Sequence, residues 1–456
     1  MRTTSLKIEE KTMESKVTFY EETNFKNTEI GEIPADWEVV KLGNYVQLIR
    51  NGLTREQNTA GVGYPVSRIE TISAGVINPN KVRYLSNLTD KEFEQYRIVK
   101  EDILFSHINS EPYLGNSAIY TGIPEILIHG MNLLLIRTQK DKLNSHFLNY
   151  LFNYFRGSGV FVSIASRAVN QSSINQGKIR NLPIPLPPLE EQKAIAYVLS
   201  TMQEAREKTE KVIEATKELK KSLMKHLFTY GPVSFEEASR INLKETEIGE
   251  IPKDWEVVKL GEVASITSGG PAPQGEEYFS KGSFPFVRVQ HIDNTNSRIE
   301  RYDLITQQAV LDYGLRLFRK GTIVFPKSGA SIFLEKRAML PVDSFIVSHL
   351  CAVNSTDNSL LQLYLFYVLQ NTKLAENKAD NYPTLNLSEI RQTVLPLPPL
   401  PVQERIAEIL QTVDEKIQAE EKKKQALDNL FNSMLHMLMS GKLRVKFQTS
   451  EEGASG

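Results

Sequence analysis

The chain has 456 residues, with 54 Lys and Arg against 55 Asp and Glu and 41% hydrophobic residues. That is ordinary for folded protein and long for a single core, so two or more domains are expected. No run of about 18 apolar residues could span a bilayer, and the opening MRTTSLKIEEKTMESK lacks an apolar signal core, which predicts a cytoplasmic protein. The single cysteine, Cys351 in SHLCAV, excludes an internal disulfide and reads as a small buried strand residue; the seven scattered histidines form no HExxH, so no metal site is expected.

The first informative stretch is TEIGEIPADWEVVKLG (residues 28–43), which returns 218 positions later as TEIGEIPKDWEVVKLG (246–261). A second pair closes each copy: PLPPLEEQKAIAYVL (185–199) and PLPPLPVQERIAEIL (396–410), 211 apart. The chain therefore divides into one unit near 28–230 and another near 246–441. Weaker matches lie inside. At offset 220, YPVSRIETI from Tyr64 lies over FPFVRVQHI from Phe284, pairing Arg68 with Arg288, and DILFSHINS lies over TIVFPKSGA. At offset 211, Asn170, Asn175 and Arg180 lie over Asn381, Asn386 and Arg391. Apolar positions are kept while the polar residues between them change, the pattern of one fold used twice on different targets.

Within each copy, DILFS, LLLIRT, TIVFP and FIVSHLCAV are short β-branched runs bounded by turn residues and predict strands. HFLNYLFNYF and LLQLYLFYVLQ have apolar residues at helical spacing and predict helices packed on those strands. Trp37 and Trp255, in the constant opening, are expected to anchor a junction by apolar packing.

After each LPPL the period becomes helical. The prolines at 187–188 and 398–399 suit a first turn, where a missing N–H has no helical partner. Ile195, Leu199, Met202, Ile213, Leu223 and Leu227 form one apolar seam; Ile406, Leu410, Val413, Ile417, Leu427, Phe431, Met434 and Leu438 form the other. Each predicts a helix of about 38 residues, roughly 57 Å long, whose seam needs a partner. Antiparallel pairing sets Ile195 against Leu438, Leu199 against Met434 and Leu223 against Leu410, with a weak middle where Thr209 meets Lys424 and Ile213 meets Glu420. Docking of each seam on its own globular part is the alternative.

Charge is uneven. Residues 281–340 hold ten Lys/Arg against five Asp/Glu and residues 137–180 hold seven against one, whereas residues 401–430 hold five against seven. Basic excess in the divergent segments suits a polyanion. No GxxxxGK[ST], GxGxxG before a helix, HxE with PCxxC, or GxSxG occurs, so no active site is expected in this chain.

The IGEIPxDWEVVKLG openings, the two PLPPL helix starts and the closing LMSGKLRVK resemble the specificity subunit of type I restriction-modification enzymes, over nearly the whole chain. The resemblance implies two pseudo-symmetric mixed α/β target recognition domains joined by two long antiparallel helices in a coiled coil. It implies an N-terminal extension (1–27), recognition domains at 28–187 and 246–398, helices at 188–230 and 399–441, a linker at 231–245 and a tail at 442–456. Each recognition domain would read one half of a split target in double-stranded DNA. The helices would set the spacer and dock two methyltransferase subunits, with restriction and translocase subunits joining through the complex. The S-adenosylmethionine, ATP and Mg2+ chemistry would belong to those partners, with no cofactor in this chain. PLPVQE departs from the family's PLEEQ, putting Pro401 and Val402 where the first copy has Glu190 and Glu191, and the second helix is expected to begin a turn later.

Base contacts are expected from polar residues on loops between matched strands: Arg68, Glu70, His107, Asn109, Arg167, Asn170 and Gln171 in the first domain; Arg288, Gln290, His291, Lys327, Ser328, Ser331, Asn381 and Tyr382 in the second. Arg reads guanine and Gln reads adenine bidentately in the major groove. Lys281, Arg319, Lys320 and Arg337 are expected on phosphate, where they set register. A coiled-coil scaffold with two protein-binding heads and a fragment of a fused modification methyltransferase remain alternatives.

Overall fold

The computed structural model describes residues 17–73, 75–167, 171–293, 298–356, 358–376 and 383–448. The chain forms two compact units: residues 1–209 with 423–456, and residues 210–422. Both boundaries fall inside long helices, so each unit holds one globular domain and half of each helix.

The repeated opening is a hairpin. Phe25–Thr28 pairs with Gly31–Pro34 in one unit, and Leu243–Thr246 with Gly249–Pro252 in the other. In both, the threonine hydroxyl donates to the glycine carbonyl at 2.7 Å, and Gly31 and Gly249 sit at φ +100° and +99°, where a Cβ is disfavoured. The repeat thus begins earlier than its letters suggest, and the segments expected to be an extension and a linker contribute strands. Trp37 and Trp255 then turn fully into the core, as expected for junction anchors.

Next, EVVK closes the domain. Glu38–Lys41 pairs antiparallel with Pro183–Leu186, and Glu256–Lys259 with Val394–Leu397, joining the strand after each hairpin to the last strand of its domain. The glycine ending VVKLG is required by close approach: a side chain at Gly43 would lie 2.9 Å from the Arg180 carbonyl, and one at Gly261 lies 2.8 Å from Arg391. Those arginines donate to Ile49 and Ile266 carbonyls, each at 3.1 Å.

Each domain is built on a four-stranded antiparallel sheet of the same order. Val46–Asn51, Leu134–Thr138, Ile103–Phe105 and Ser117–Ile119 are adjacent in the first domain; Ala264–Ser268, Leu350–Ser355, Ile323–Pro326 and Ala338–Met339 are in the second. The expected helices form at Ser145–Gly157 and Gln362–Asn371, and both bury apolar faces. FIVSHLCAV is two strands rather than one, Phe345–Ile346 and Leu350–Ser355. Cys351 is buried, and burial pushes its thiol up to about 12, so it is a core residue and not a nucleophile.

The long helices span Leu189–Tyr230 and Leu400–Met439, about 63 and 60 Å at 1.5 Å per residue. Both begin immediately after the proline pair, so the second does not start a turn late. The shared glutamine sets that start. Gln192 donates to the Pro187 and Lys142 carbonyls and accepts from the Asn144 N–H; Gln403 donates to Pro398 and Ser359 and accepts from Leu361. Both are almost fully buried.

In the first unit the helix halves run antiparallel, with Arg206 and Asp428 paired at 2.5 Å and the Arg206 guanidinium 4.8 Å from the Phe431 ring. In the second, Lys220 pairs with Asp414 at 2.7 Å and Lys217 with Glu421 at 2.9 Å. Ile195, Leu199, Leu227, Ile406, Leu410, Phe431 and Leu438 are buried in the seams; Met202, Leu223, Val413, Leu427 and Met434 are half-buried. In the middle of the helices Ile213 and Ile417 are buried, and so are the polar Thr209 and Glu420.

Where the first unit carries Glu191, the second carries Val402. Glu191 is buried under Arg444, which donates to it at 2.6 and 2.7 Å, to Asp36 at 2.8 and 3.0 Å, and to Glu22; Trp37 Nε1 donates to Glu191 at 3.1 Å. The arginine comes from Leu443–Phe447, which pairs with Val17–Glu21. The guanidinium holds the Asp36 carboxyl below its usual range. Val402 instead packs on the apolar core of the second unit. Removing one member of a buried ion pair costs about 3–5 kcal/mol, whereas replacing the pair with apolar residues is often neutral. Arg444→Met is therefore expected to destabilise the first unit by about that much, and adding Glu191→Val to recover most of it. Hydrogen exchange at residues 17–21 reads both effects, with exchange in the second unit unchanged.

Candidate nucleic-acid interface

In the first domain, strands Ile108–Asn109, Ser172–Ser173 and Ser166–Arg167 make a small sheet. Asn109 and Arg167 lie opposite Ser172 on its two sides, so polar residues nearly sixty positions apart meet. Arg167 is exposed and pairs with Glu111 at 2.9 Å; Asn109 is half-buried and donates to Ser106 Oγ at 3.1 Å; Gln171 is exposed beside them. Asn170 lies outside the described residues. His107, at the root of this sheet, is 8% exposed, and burial alone lowers its imidazole to about 4.

A short 3-10 turn, Ile69–Ile72, presents Glu70 to solvent. Arg68 precedes it, half-buried, with Nη1 donating to Gln57 Oε1 at 3.1 Å. The Arg68 N–H is capped by Thr71 Oγ1 at 2.8 Å. Asn116 ties the end of the turn to the small sheet: its side chain donates to the Ser73 carbonyl, and its carbonyl accepts from the Ser106 N–H.

The second domain repeats this turn at Val289–His291. Gln290 is the exposed residue in the place of Glu70. Arg288 is half-buried, donates to Asp303 at 2.6 Å and lies over the Phe279 and Phe286 rings, which anchors the turn. His291, expected on a base, is instead an internal cap. Its Nδ1 accepts from the Arg288 N–H at 3.0 Å, the role Thr71 plays, and only 8% of it is exposed.

Lys327, Ser328 and Ser331 come together where residues 327–329 pair with 383–385: Leu385 N–H donates to Lys327, Gly329 N–H donates to Pro383, and Ser328 bridges Thr384. This matches, residue for residue, the pairing of Ile108 with Ser173. Ser328 Oγ and His349 Nδ1 are 2.7 Å apart, and all three candidates are half-buried. Asn381 and Tyr382 lie outside the described residues. Lys281, at φ +58°, and Lys320 are exposed, as is Arg319, which pairs with Asp343 at 2.7 Å.

Arg337 is a correction. Only 1% exposed, it lies over the Phe325 ring and bonds the Lys336 carbonyl and Glu335, so it braces the sheet and cannot reach phosphate. Charged residues this buried need a partner inside, and Glu335 supplies it.

These two domains, alike in sheet order, turn and cap and unlike in exposed polar residues, match the model of the type I restriction modification DNA specificity domain twice, over residues 34–217 and 252–429. The chain belongs to the type I restriction-modification specificity subunit family. It is 39% identical over 434 residues to the MjaX protein of Methanocaldococcus jannaschii, named a type I restriction enzyme specificity subunit, covering 94% of this chain and 98% of that one. The MjaIX specificity subunit of the same organism is 29% identical over 452 residues, covering 94% and 99%. The fold is that of the type I S subunit from M. genitalium, with TM-score 0.59 at 19% identity over 88% of this chain and 96% of that one. Among the described residues no helix is long and apolar enough to cross a membrane.

Two buried imidazoles give the first unit a pH dependence. His129 Nε2 donates to the Leu133 carbonyl at 3.1 Å, and burial pushes its imidazole down to about 3, as it pushes His107 to about 4. Both folded values lie below the ordinary 6.5, so between about pH 6.5 and 4 the unfolded chain binds protons that the folded unit refuses. Stability is complete above pH 6.5 and falls with pH through that window, by about 1.4 kcal/mol per unit for each imidazole. His129→Asn is expected to remove one proton from this slope, measured as the pH dependence of amide exchange at Leu134–Thr138 relative to wild type. An unchanged slope would contradict the assignment.

Proposed function

We propose that each recognition domain, 28–187 and 246–398, reads one half of a bipartite sequence in double-stranded DNA, that the helix pair sets the spacer, and that the same helices dock two methyltransferase subunits through which restriction and translocase subunits join. The observation that carries this reading is the equivalent turn. Its backbone, cap and preceding arginine are the same in both domains, while the exposed residue is Glu70 in one and Gln290 in the other. Glutamate accepts from the cytosine amino group and glutamine pairs with the adenine edge, so one scaffold offers two specificities. Asn109, Arg167 and Gln171, with Asn170, add base contacts in the first domain; Lys327, Ser328 and Ser331, with Asn381 and Tyr382, add them in the second. Lys281, Arg319 and Lys320 hold phosphate and fix register. Arg68 and Arg288 act mainly by holding their turns.

The chain is non-catalytic in this reading and acts in the cytoplasm. S-adenosylmethionine, ATP and Mg2+ are handled by the partner subunits. Methylation-sensitive sequencing of a host carrying the complex is expected to return a split motif. Gln290→Ala is expected to relax one position of one half only, at a discrimination cost of about 1–3 kcal/mol for a lost bidentate contact. A continuous motif, or relaxation in both halves, would contradict the reading.

A further inference from the structure

The second recognition domain holds two separate apolar cores. One, around Trp255 and Tyr364, continues into the long helices through Leu227, Ile406 and Leu410. The other, around Phe286, Val287, Ile292 and Ile299, includes no residue of either long helix, yet it carries the turn that presents Gln290. The turn's position against the helices is therefore not set by continuous apolar packing.

A polar link joins them. Arg298 follows the turn closely: its carbonyl accepts from the Asp293 N–H at 2.8 Å, and Ile292 bridges Ile299. Its side chain reaches the second long helix, with Nη1 3.2 Å from Glu421 Oε2 and Nη2 3.1 Å from the Asp414 carbonyl. Glu421 also pairs with Lys217 of the first long helix. One guanidinium thus ties the segment after the turn to the second helix, at a carboxylate that the first helix also binds. Beside it lies a cavity of about 750 Å³, lined by Lys217, Arg298, Phe333 and Asp414 among others. At the root of the turn the buried Lys336 donates to the Ile292 carbonyl at 2.9 Å. In the first domain the equivalent place, 220 positions earlier, is Asn78, whose side chain accepts locally from the Asn80 N–H.

We propose that Arg298 is a positioning residue that locks the reading turn of the second domain to the helix pair, and so makes recognition of the second half-site depend on spacer length. This rests on the proposed reading of a bipartite target. A planar, forked cation suits the role, because two bonds to groups seven residues apart on one helix fix an angle as well as a distance.

The test uses the full chain assembled with its methyltransferase subunits and measures methylation of duplexes carrying the motif with the native spacer or with one base pair more or fewer. Arg298→Ala is expected to lower discrimination between native and altered spacers about tenfold, the worth of roughly one charged hydrogen bond. The rate on the native spacer and the thermal midpoint should change little. Glu421→Gln should act in the same direction, the double variant should be no worse than Arg298→Ala, and Arg298→Lys should restore part of the discrimination. Arg316→Ala, which removes an exposed cation of the same domain that lies away from the turn, should leave it intact. Undiminished discrimination in Arg298→Ala overturns the inference alone, as does equal loss in Arg316→Ala. A wild-type complex indifferent to spacer length overturns the bipartite reading, and this inference with it.

Discussion

Everything in this molecule depends on bringing the two ends of each recognition domain together at the foot of a long helix. The EVVK strand and the strand before the proline pair do this with one four-residue antiparallel ladder. A buried glutamine, Gln192 or Gln403, then binds the first helical turn to the start of the domain's own helix or its approach. A buried amide with both its donor and its acceptor engaged is costly to displace, so the helix leaves each domain in one direction. A domain closed in this way can change its exposed polar residues without disturbing what lies after it.

This explains why near-identity is confined to short segments. The threonine–glycine hairpin, the tryptophan, the glycine facing Arg180 or Arg391 and the glutamine all make contacts with no tolerance for change of size or donor pattern. Between them the sheet needs only apolar residues of suitable volume, and the exposed loops are free to change their polar residues. The two units also show two solutions at one place. The first buries Glu191 with Arg444; the second buries nothing charged there and uses Val402. The charged solution fastens the strand pair formed by residues from opposite ends of the chain, a task absent from the second unit.

The scaffold was legible in the sequence because it is said twice. The repeated openings located the buried tryptophans, the proline pairs located the helix starts although the second was expected a turn later, and the heptad-like spacing located the seams, since all of these rest on local chemistry or short periods. The interface was legible only in part. The matched offsets set Arg68 over Arg288 and DILFSHINS over TIVFPKSGA, but they could not say which polar residue of a 3-10 turn faces outward, because one step around so tight a turn rotates the side chain by about 120°. His291 illustrates this: it stands over Thr71, a capping residue, and its apparent novelty concealed a shared role. Arg337 and Arg298 depend on partners brought close by tertiary folding, Phe325 and Asp414, which no local pattern announces.

If closure at the helix foot makes the domains independent, exchanging residues 261–393 for the same stretch of a relative will transplant one specificity and leave the other. Methylation-sensitive sequencing of a host expressing the chimera with its methyltransferase subunits measures this directly. One half of the split motif should become the relative's while the other half stays that of the parent. A motif altered in both halves would contradict the independence of the two domains.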